Sequence, residues 1–170
     1  MPIWEGKRYQ LETSMHYDDI LKALQVGPVL TKMGNTLKPI VELSQDEEDW
    51  YTLKTSTDFN EDVITFRDDE KFYEETFDGR KVKSICTFDH ENRLFHVQKD
   101  HKVTTNIYQF CDDGLLTLIM VDKIICFRFY KVIETYDEPD DETYETNETN
   151  DETNDEANDE ANDEANDETE

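Results

Sequence analysis

The sequence predicts a mostly-β fold: a ten-stranded antiparallel up-and-down β-barrel capped by a helix-turn-helix and followed by a disordered C-terminal tail. Three observations predict it. Over residues 39–130, β-branched and aromatic runs recur about every 8–12 residues between tight polar turns. One stretch ahead of them, 17–37, changes to helical period. From Glu134 onward there is no Lys, no Arg and no aliphatic side chain larger than Ala.

Residues 6–12 read as a first strand, with Tyr9 and Leu11 on one face. Tyr17, Ile20, Leu21 and Leu24 then recur at three and four residues, which is the spacing of a helix. Gly27-Pro28 interrupts it, and Pro28 is placed to open a second short helix with Val29, Leu30 and Met33 as its apolar stripe. Gly34-Asn35 and Pro39 are expected to end that helix. Nine strand-like runs follow, at 40–44, 50–55, 62–66, 71–76, 80–88, 94–99, 104–110, 115–121 and 124–130. Turn signals such as Asp78-Gly79, Asp112-Asp113-Gly114 and Asp122-Lys123 divide them. Consecutive hairpins without a long crossover favour a meander, closed into a barrel. Ten strands make a barrel too wide for its own side chains to fill, so a cavity is expected.

The run Ile124-Ile125-Cys126-Phe127-Arg128-Phe129-Tyr130 carries the sharpest chemical signal. Strand geometry turns Arg128 and Tyr130 to one face and Phe127 and Phe129 to the other. A guanidinium fork beside a phenol is a natural clamp for a carboxylate. The plainer alternative is an edge strand whose Arg128 faces water. Polar residues at further lumen positions, Tyr108, Asn106 and Gln98, favour a wet cavity for an amphiphile over a packed core. If Arg128 faces in, Phe127 and Phe129 face out together with Leu116, Leu118 and Met120. That outer wall is either a docking surface or is covered by the tail or the chain start.

The chain has 170 residues, with 43 acids against 17 bases and a net charge of −26. Of the acids, 19 lie from Glu134 on, which leaves residues 1–133 with 24 acids, 17 bases and a net of −7. Such a balance excludes a phosphate-backbone binder, so no nucleic-acid partner is expected. No apolar leader opens the sequence and no run is long enough to span a bilayer, which points to the cytoplasm. Cys86, Cys111 and Cys126 lack metal spacing and suit reduced thiols. No metal, cofactor or enzyme signal is found: His16, His90, His96 and His101 are scattered, no Ser sits in a nucleophile context, and Glu74-Glu75 reads as solvated.

Four pieces of the chain, in order, carry a family resemblance. These are Lys7-x-Tyr9-x-Leu11 with His16-Tyr17-Asp18-x-Ile20-Leu21; Lys22-Ala23-Leu24-x-Val26-Gly27 with Gly34-Asn35 and Lys38-Pro39; Phe72-x-Glu74-x-Thr76-x-Asp78-x-Arg80; and Arg128-x-Tyr130. Together they resemble the intracellular lipid-binding proteins of the calycin superfamily, specifically the fatty-acid-binding proteins, over about residues 4–132. The resemblance implies a β-clam that carries a long-chain fatty acid or related amphiphile, as a monomer and without a cofactor. It places Arg128 and Tyr130 at the headgroup, Phe59 at the portal, and Tyr17, Asp78 and Gln98 among the ligand-binding positions. Where many members have a second Arg or Gln, this chain has Tyr108, which donates one hydrogen bond but no charge. Weaker affinity or a different head follows, a retinoid among the alternatives. Lys22 and Lys32 on the cap suit transient membrane contact or are simply solvated charges.

The family pattern stops near Val132, so residues 134–170 are an added segment. Five Asn-Asp-Glu-Thr/Ala tetrads begin at Asn150. Like charges at i,i+4 repel and no apolar surface is present, so disorder is expected. Solubility, weak divalent binding or competition for the cap lysines are its candidate roles. A protein-interaction module, using the tail or the outer Phe127/Phe129 wall, is the runner-up function.

Overall fold

The computed structural model describes residues 1–90 and 92–135, with no side-chain description for 134 and 135. The expectations for the acidic tail fall outside the described residues except at Glu134 and Thr135, which pair with the first strand instead of belonging to a disordered tail.

Ten strands and two helices follow the expected order: β1 (Lys7–Met15), α1 (Tyr17–Ala23), α2 (Pro28–Thr36), β2 (Ile40–Gln45), β3 (Tyr51–Ser56), β4 (Glu61–Phe66), β5 (Lys71–Glu75), β6 (Lys81–His90), β7 (Arg93–Lys99), β8 (Val103–Phe110), β9 (Gly114–Val121) and β10 (Ile124–Thr135). They form one antiparallel sheet in the order β4-β3-β2-β1-β10-β9-β8-β7-β6-β5. Each strand pairs with its chain neighbour except β4 with β5, and one further pairing joins strands that are not chain neighbours. β1 joins β10, which brings the first strand against the last. β4 and β5 stand at the two ends of the order, so the barrel is a clam with a seam between them.

β10 runs five residues further than its apolar core suggests, because Lys131 to Thr135 keep pairing with β1 as far as Lys7. β1 bends around the barrel at two bulges, between Arg8 and Tyr9 and between Leu11 and Thr13. Gly79 takes φ 84° in the β5–β6 turn, and Asp122 takes φ 54° in the two-residue β9–β10 turn.

Alternation sorts the side chains. Tyr9, Leu11, Val41, Leu43, Leu53, Phe66, Leu94, Phe110 and Leu115 fill one end of the barrel beneath the buried Trp4. The aromatic rings there pack in chains, with Tyr51 stacked on Phe66 at 5.5 Å and Phe66 on Phe72 at 6.0 Å. The other end stays open under the helices. α1 closes it by burying Ile20 and Leu24 against Val121 and Cys126.

α2 behaves differently from its sequence. Gly34 and Asn35 lie inside it rather than ending it. Gly34 is needed there because the helices cross closely. A Cβ at Gly34 would stand 3.0 Å from Leu21 Cδ1 and 3.1 Å from Tyr17 Cε1. No residue of α2 is buried, and Val29 and Met33 of its apolar stripe are exposed.

The outer wall forms as the alternation requires. Phe127 pairs with Leu118, Leu118 with Ile107, and Ile107 with Phe95, in one outward row across β10, β9, β8 and β7. Phe129 and Ile125 on the same face are exposed. Cys86 and Cys126 are buried free thiols, and Cys111 is an exposed one. No helix among the described residues is long and apolar enough to cross a membrane.

Candidate functional site

A cavity of about 170 Å³ occupies the open end of the barrel, under α1. Its roof is apolar, from Tyr17, Ile20, Leu21 and Leu24. Its walls are mixed, and the sheet register explains how the polar residues converge. One inward row runs Arg128, Thr117, Tyr108 and Leu94 across β10, β9, β8 and β7. The next row toward the helices brings Cys126, Ile119, Asn106 and His96 together.

Arg128 is 6% exposed. Its guanidinium lies 4.0 Å from the centre of the Tyr17 ring and 5.9 Å from that of Tyr130. Among the described residues no carboxylate comes within ion-pair distance of it, and its Nε has no hydrogen-bond partner. The site thus presents a desolvated cation held by an aromatic face, aimed into a cavity. Burial pushes the Tyr130, Tyr108 and Tyr17 hydroxyls up, with nearby Arg128 pulling Tyr130 and Tyr17 back. All three are therefore neutral at pH 7 and available as donors.

The structure brings Arg128, Tyr130, Tyr108, Tyr17 and Gln98 into this one cavity. Two expected residues stand elsewhere. Phe59, expected at the portal, is 76% exposed in the β3–β4 turn between Thr57 and Asn60 and does not line the cavity. Asp78 does not line it either. It sits in the β5–β6 turn, accepting from Thr76 Oγ1 at 2.7 Å and from Arg80 Nε at 2.7 Å, and so orients Arg80, which does line the cavity.

Two lining residues, Glu74 and His96, were read differently from sequence. Glu74 is not solvated. Its carboxylate faces inward and meets His96 Nε2 at 2.7 Å and Gln98 Nε2 at 2.5 Å. Glu75, its neighbour, points outward, so the pair divides between the two faces of β5. The alternation Phe72-x-Glu74-x-Thr76 opposite His96-x-Gln98 is the signal that marks them.

A second chamber of about 180 Å³ opens between Leu30 and Met33 of α2 and Thr57 and Asn60 of the β3–β4 turn. It shares Tyr17, Asp62, Phe77 and Arg128 with the first, which gives a route from the surface to the cation.

The carboxylates of the site make its stability pH-dependent. Burial works to raise the Glu74 carboxyl, but the hydrogen bonds from His96 and Gln98 outweigh it and hold the group below its ordinary value. Asp78 is likewise held low against burial, by Arg80 and Thr76. A carboxylate with a depressed folded pKa contributes stability above its unfolded pKa, roughly 4, and loses it as pH falls through the folded value. Asp62 runs the other way, raised by burial and by Glu74. Loss of the Glu74 and Asp78 contributions gives the expected result: the denaturation midpoint falls as pH drops below about 4, and falls less steeply in Glu74→Gln, with protonation of Asp62 working against it. Urea titrations across that range check it.

Comparison with known proteins agrees with this geometry. The model of the "Lipocalin / cytosolic fatty-acid binding protein family" matches residues 6–150. A probable fatty acid-binding protein of Anopheles gambiae is 46% identical over 102 residues, 60% of this chain and 89% of that protein. Cellular retinoic acid-binding protein 1 of Gallus gallus is 34% identical over 136 residues, 76% of this chain and 98% of that one. Among solved structures, a Schistosoma mansoni fatty acid binding protein in complex with arachidonic acid superposes with a TM-score of 0.75 at 30% identity, over 79% of this chain and 98% of that one.

Proposed function

Because this chain belongs to the lipocalin / cytosolic fatty-acid binding protein family, we propose that it binds and carries a long-chain fatty acid or related hydrophobic carboxylate. The ligand's carboxylate sits on Arg128, with Tyr130 and Tyr108 donating to it, and its tail lies under α1. The carrier works as a cytoplasmic, non-enzymatic monomer. The binding domain, expected from sequence as residues 1–133, extends through Thr135, which still pairs in β10, and the acidic residues after it are an appendage. The exposed cap, with Lys22 and Lys32, makes transient membrane contact during transfer.

One observation carries the reading. A buried cation without a carboxylate partner is costly, by several kcal/mol for a charge of this size. An incoming carboxylate removes that cost, and it arrives with a tail the apolar roof can cover. Each buried methylene contributes roughly 0.8 kcal/mol, so a sixteen-carbon tail contributes on the order of 12 kcal/mol before losses. Lost ligand freedom and head desolvation offset several kcal/mol of it. The net of roughly 8–11 kcal/mol corresponds to micromolar to tens-of-nanomolar affinity. Calorimetric titration of oleate into delipidated protein tests this. Saturable one-to-one binding is expected, and the absence of binding up to about 100 μM would remove the fatty-acid reading.

Tyr108 tunes the site. It stands in the same inward row as Arg128, two strands away, where it adds a donor but no charge. Tyr108→Arg is expected to tighten oleate binding by about fivefold or more, through a second charge-assisted contact. Unchanged affinity in the same titration would mean that the head does not reach that row. The similarity to a retinoic acid-binding protein makes a retinoid the second reading. All-trans retinoic acid displacing oleate at equal concentration would favour it.

A further inference from the structure

The cavity has a second polar pole, and a plain fatty acid leaves it unused. Glu74 of β5 and His96 of β7 are each 6% exposed and joined at 2.7 Å. Gln98 holds the other carboxylate oxygen. Beside them on β8, Thr104 pairs in register with Gln98, and Asn106 with His96. Thr104 is 3% exposed, lines the cavity, and its Oγ1 has no hydrogen-bond partner.

Buried polar atoms are kept in folded proteins when something satisfies them. Methylenes cannot. An acyl chain passing this pole would add nothing to the carboxylate that His96 and Gln98 already hold and would leave the Thr104 hydroxyl unsatisfied. The charge of Glu74 also rejects a second carboxylate. The group that suits the pole is a hydroxyl, which donates to Glu74 and accepts from Thr104. The distance from the head matters too. Thr104 on β8 is two strands from Arg128 on β10, roughly 10 Å along the sheet at about 4.8 Å per strand, and Glu74 on β5 lies three strands further round. A hydroxyl next to the carboxyl would stay beside Arg128, whereas one far down the chain reaches the pole.

We propose that the preferred ligand is a long-chain fatty acid hydroxylated in mid-chain, with its carboxylate on Arg128 and its hydroxyl between Glu74 and Thr104. This rests on the carrier reading above and names the class of ligand within it.

The test is a calorimetric comparison of stearate, 2-hydroxystearate and 12-hydroxystearate on the delipidated full chain. The 12-hydroxy acid is expected to bind about tenfold or more tighter than stearate, the scale of one added hydrogen bond to a charged group. The 2-hydroxy acid is expected to show no such gain. Glu74→Met and Thr104→Val are expected to bring the 12-hydroxy preference to near unity while stearate still binds. Thr104→Val exchanges a partnerless hydroxyl for a methyl of similar shape, so it keeps the test decisive if Glu74→Met does not fold. Equal affinity for stearate and 12-hydroxystearate in the unaltered protein would overturn the inference and leave the pole to water. So would a preference that survives Thr104→Val. If neither acid binds, the carrier reading itself fails and this one with it.

Discussion

Arg128→Leu lowers oleate affinity by about tenfold or more and raises the stability of the ligand-free protein by about 1–3 kcal/mol. Both effects have one source. The guanidinium is nearly fully buried, and its compensation is the Tyr17 ring at 4.0 Å. A desolvated cation–π contact is worth about 2 kcal/mol. The penalty for burying the charge is several kcal/mol, so the empty site carries a net cost. Leucine removes the charge and keeps an apolar side chain under α1. The lost volume returns some of the gain, which sets the lower end of the range. With ligand the sign reverses, because the carboxylate loses its counter-charge and is left buried alone. Oleate calorimetry and urea denaturation of the delipidated variant read the two effects separately. A variant that loses affinity and stability together would show that Arg128 is held by packing rather than kept for the ligand.

Gly114→Val destabilises the barrel by about 3 kcal/mol and weakens the site as well. A Cβ at Gly114 would lie 2.6 Å from the carbonyl oxygen of Tyr130. That atom is backbone, so the collision cannot be relieved by rotating a side chain. Gly114 opens β9 opposite Lys131, and Leu115 pairs with Tyr130 next to it. Separating the strands there displaces the segment that presents Tyr130 to the ligand head. Oleate affinity is expected to fall severalfold in parallel. Gly27→Ala is the control, since its Cβ would meet nothing within 4 Å and its cost stays within about 1 kcal/mol. Equal midpoints for the two variants in thermal unfolding would mean the β8–β9 turn yields freely.

What the sequence made legible follows from period. A strand alternates with period two, so Arg128 and Tyr130 could be set on the face opposite Phe127 and Phe129 from the stretch itself. The choice of that face as the inner one came from the other polar positions and the family resemblance; in the structure Arg128 is buried. Turn chemistry placed the hairpins for the same local reason. Glu74 was not legible as a cavity residue because its partners are distant. His96 is 22 residues away and Gln98 is 24, and only the meander places β5 near β7. Gly34 misled because a glycine near a helix end resembles a stop signal, whereas here it admits Tyr17 and Leu21 of the crossing helix. Phe59 and Asp78 belong to turns, where side-chain direction depends on contacts that no periodicity encodes.

The outward row of Phe127, Leu118, Ile107 and Phe95 bears on how the chain finds its alignment. β-Strands normally settle their register because one face is apolar and the other is not. In β9 and β10 both faces are apolar, and that bias is weak. A slip by one residue would turn Phe127 and Phe129 inward and release Arg128 to water, locally a favourable exchange. The native alignment is instead pinned by the two-residue turn at Asp122, with its left-handed φ of 54°, and by the Tyr130 carbonyl, which comes so close to β9 that a residue without a Cβ, Gly114, must stand there. The strand that holds the ligand's head is thus the one whose partner could most readily be misaligned, and two short turns at its ends decide whether the arginine is folded into the barrel or left outside it.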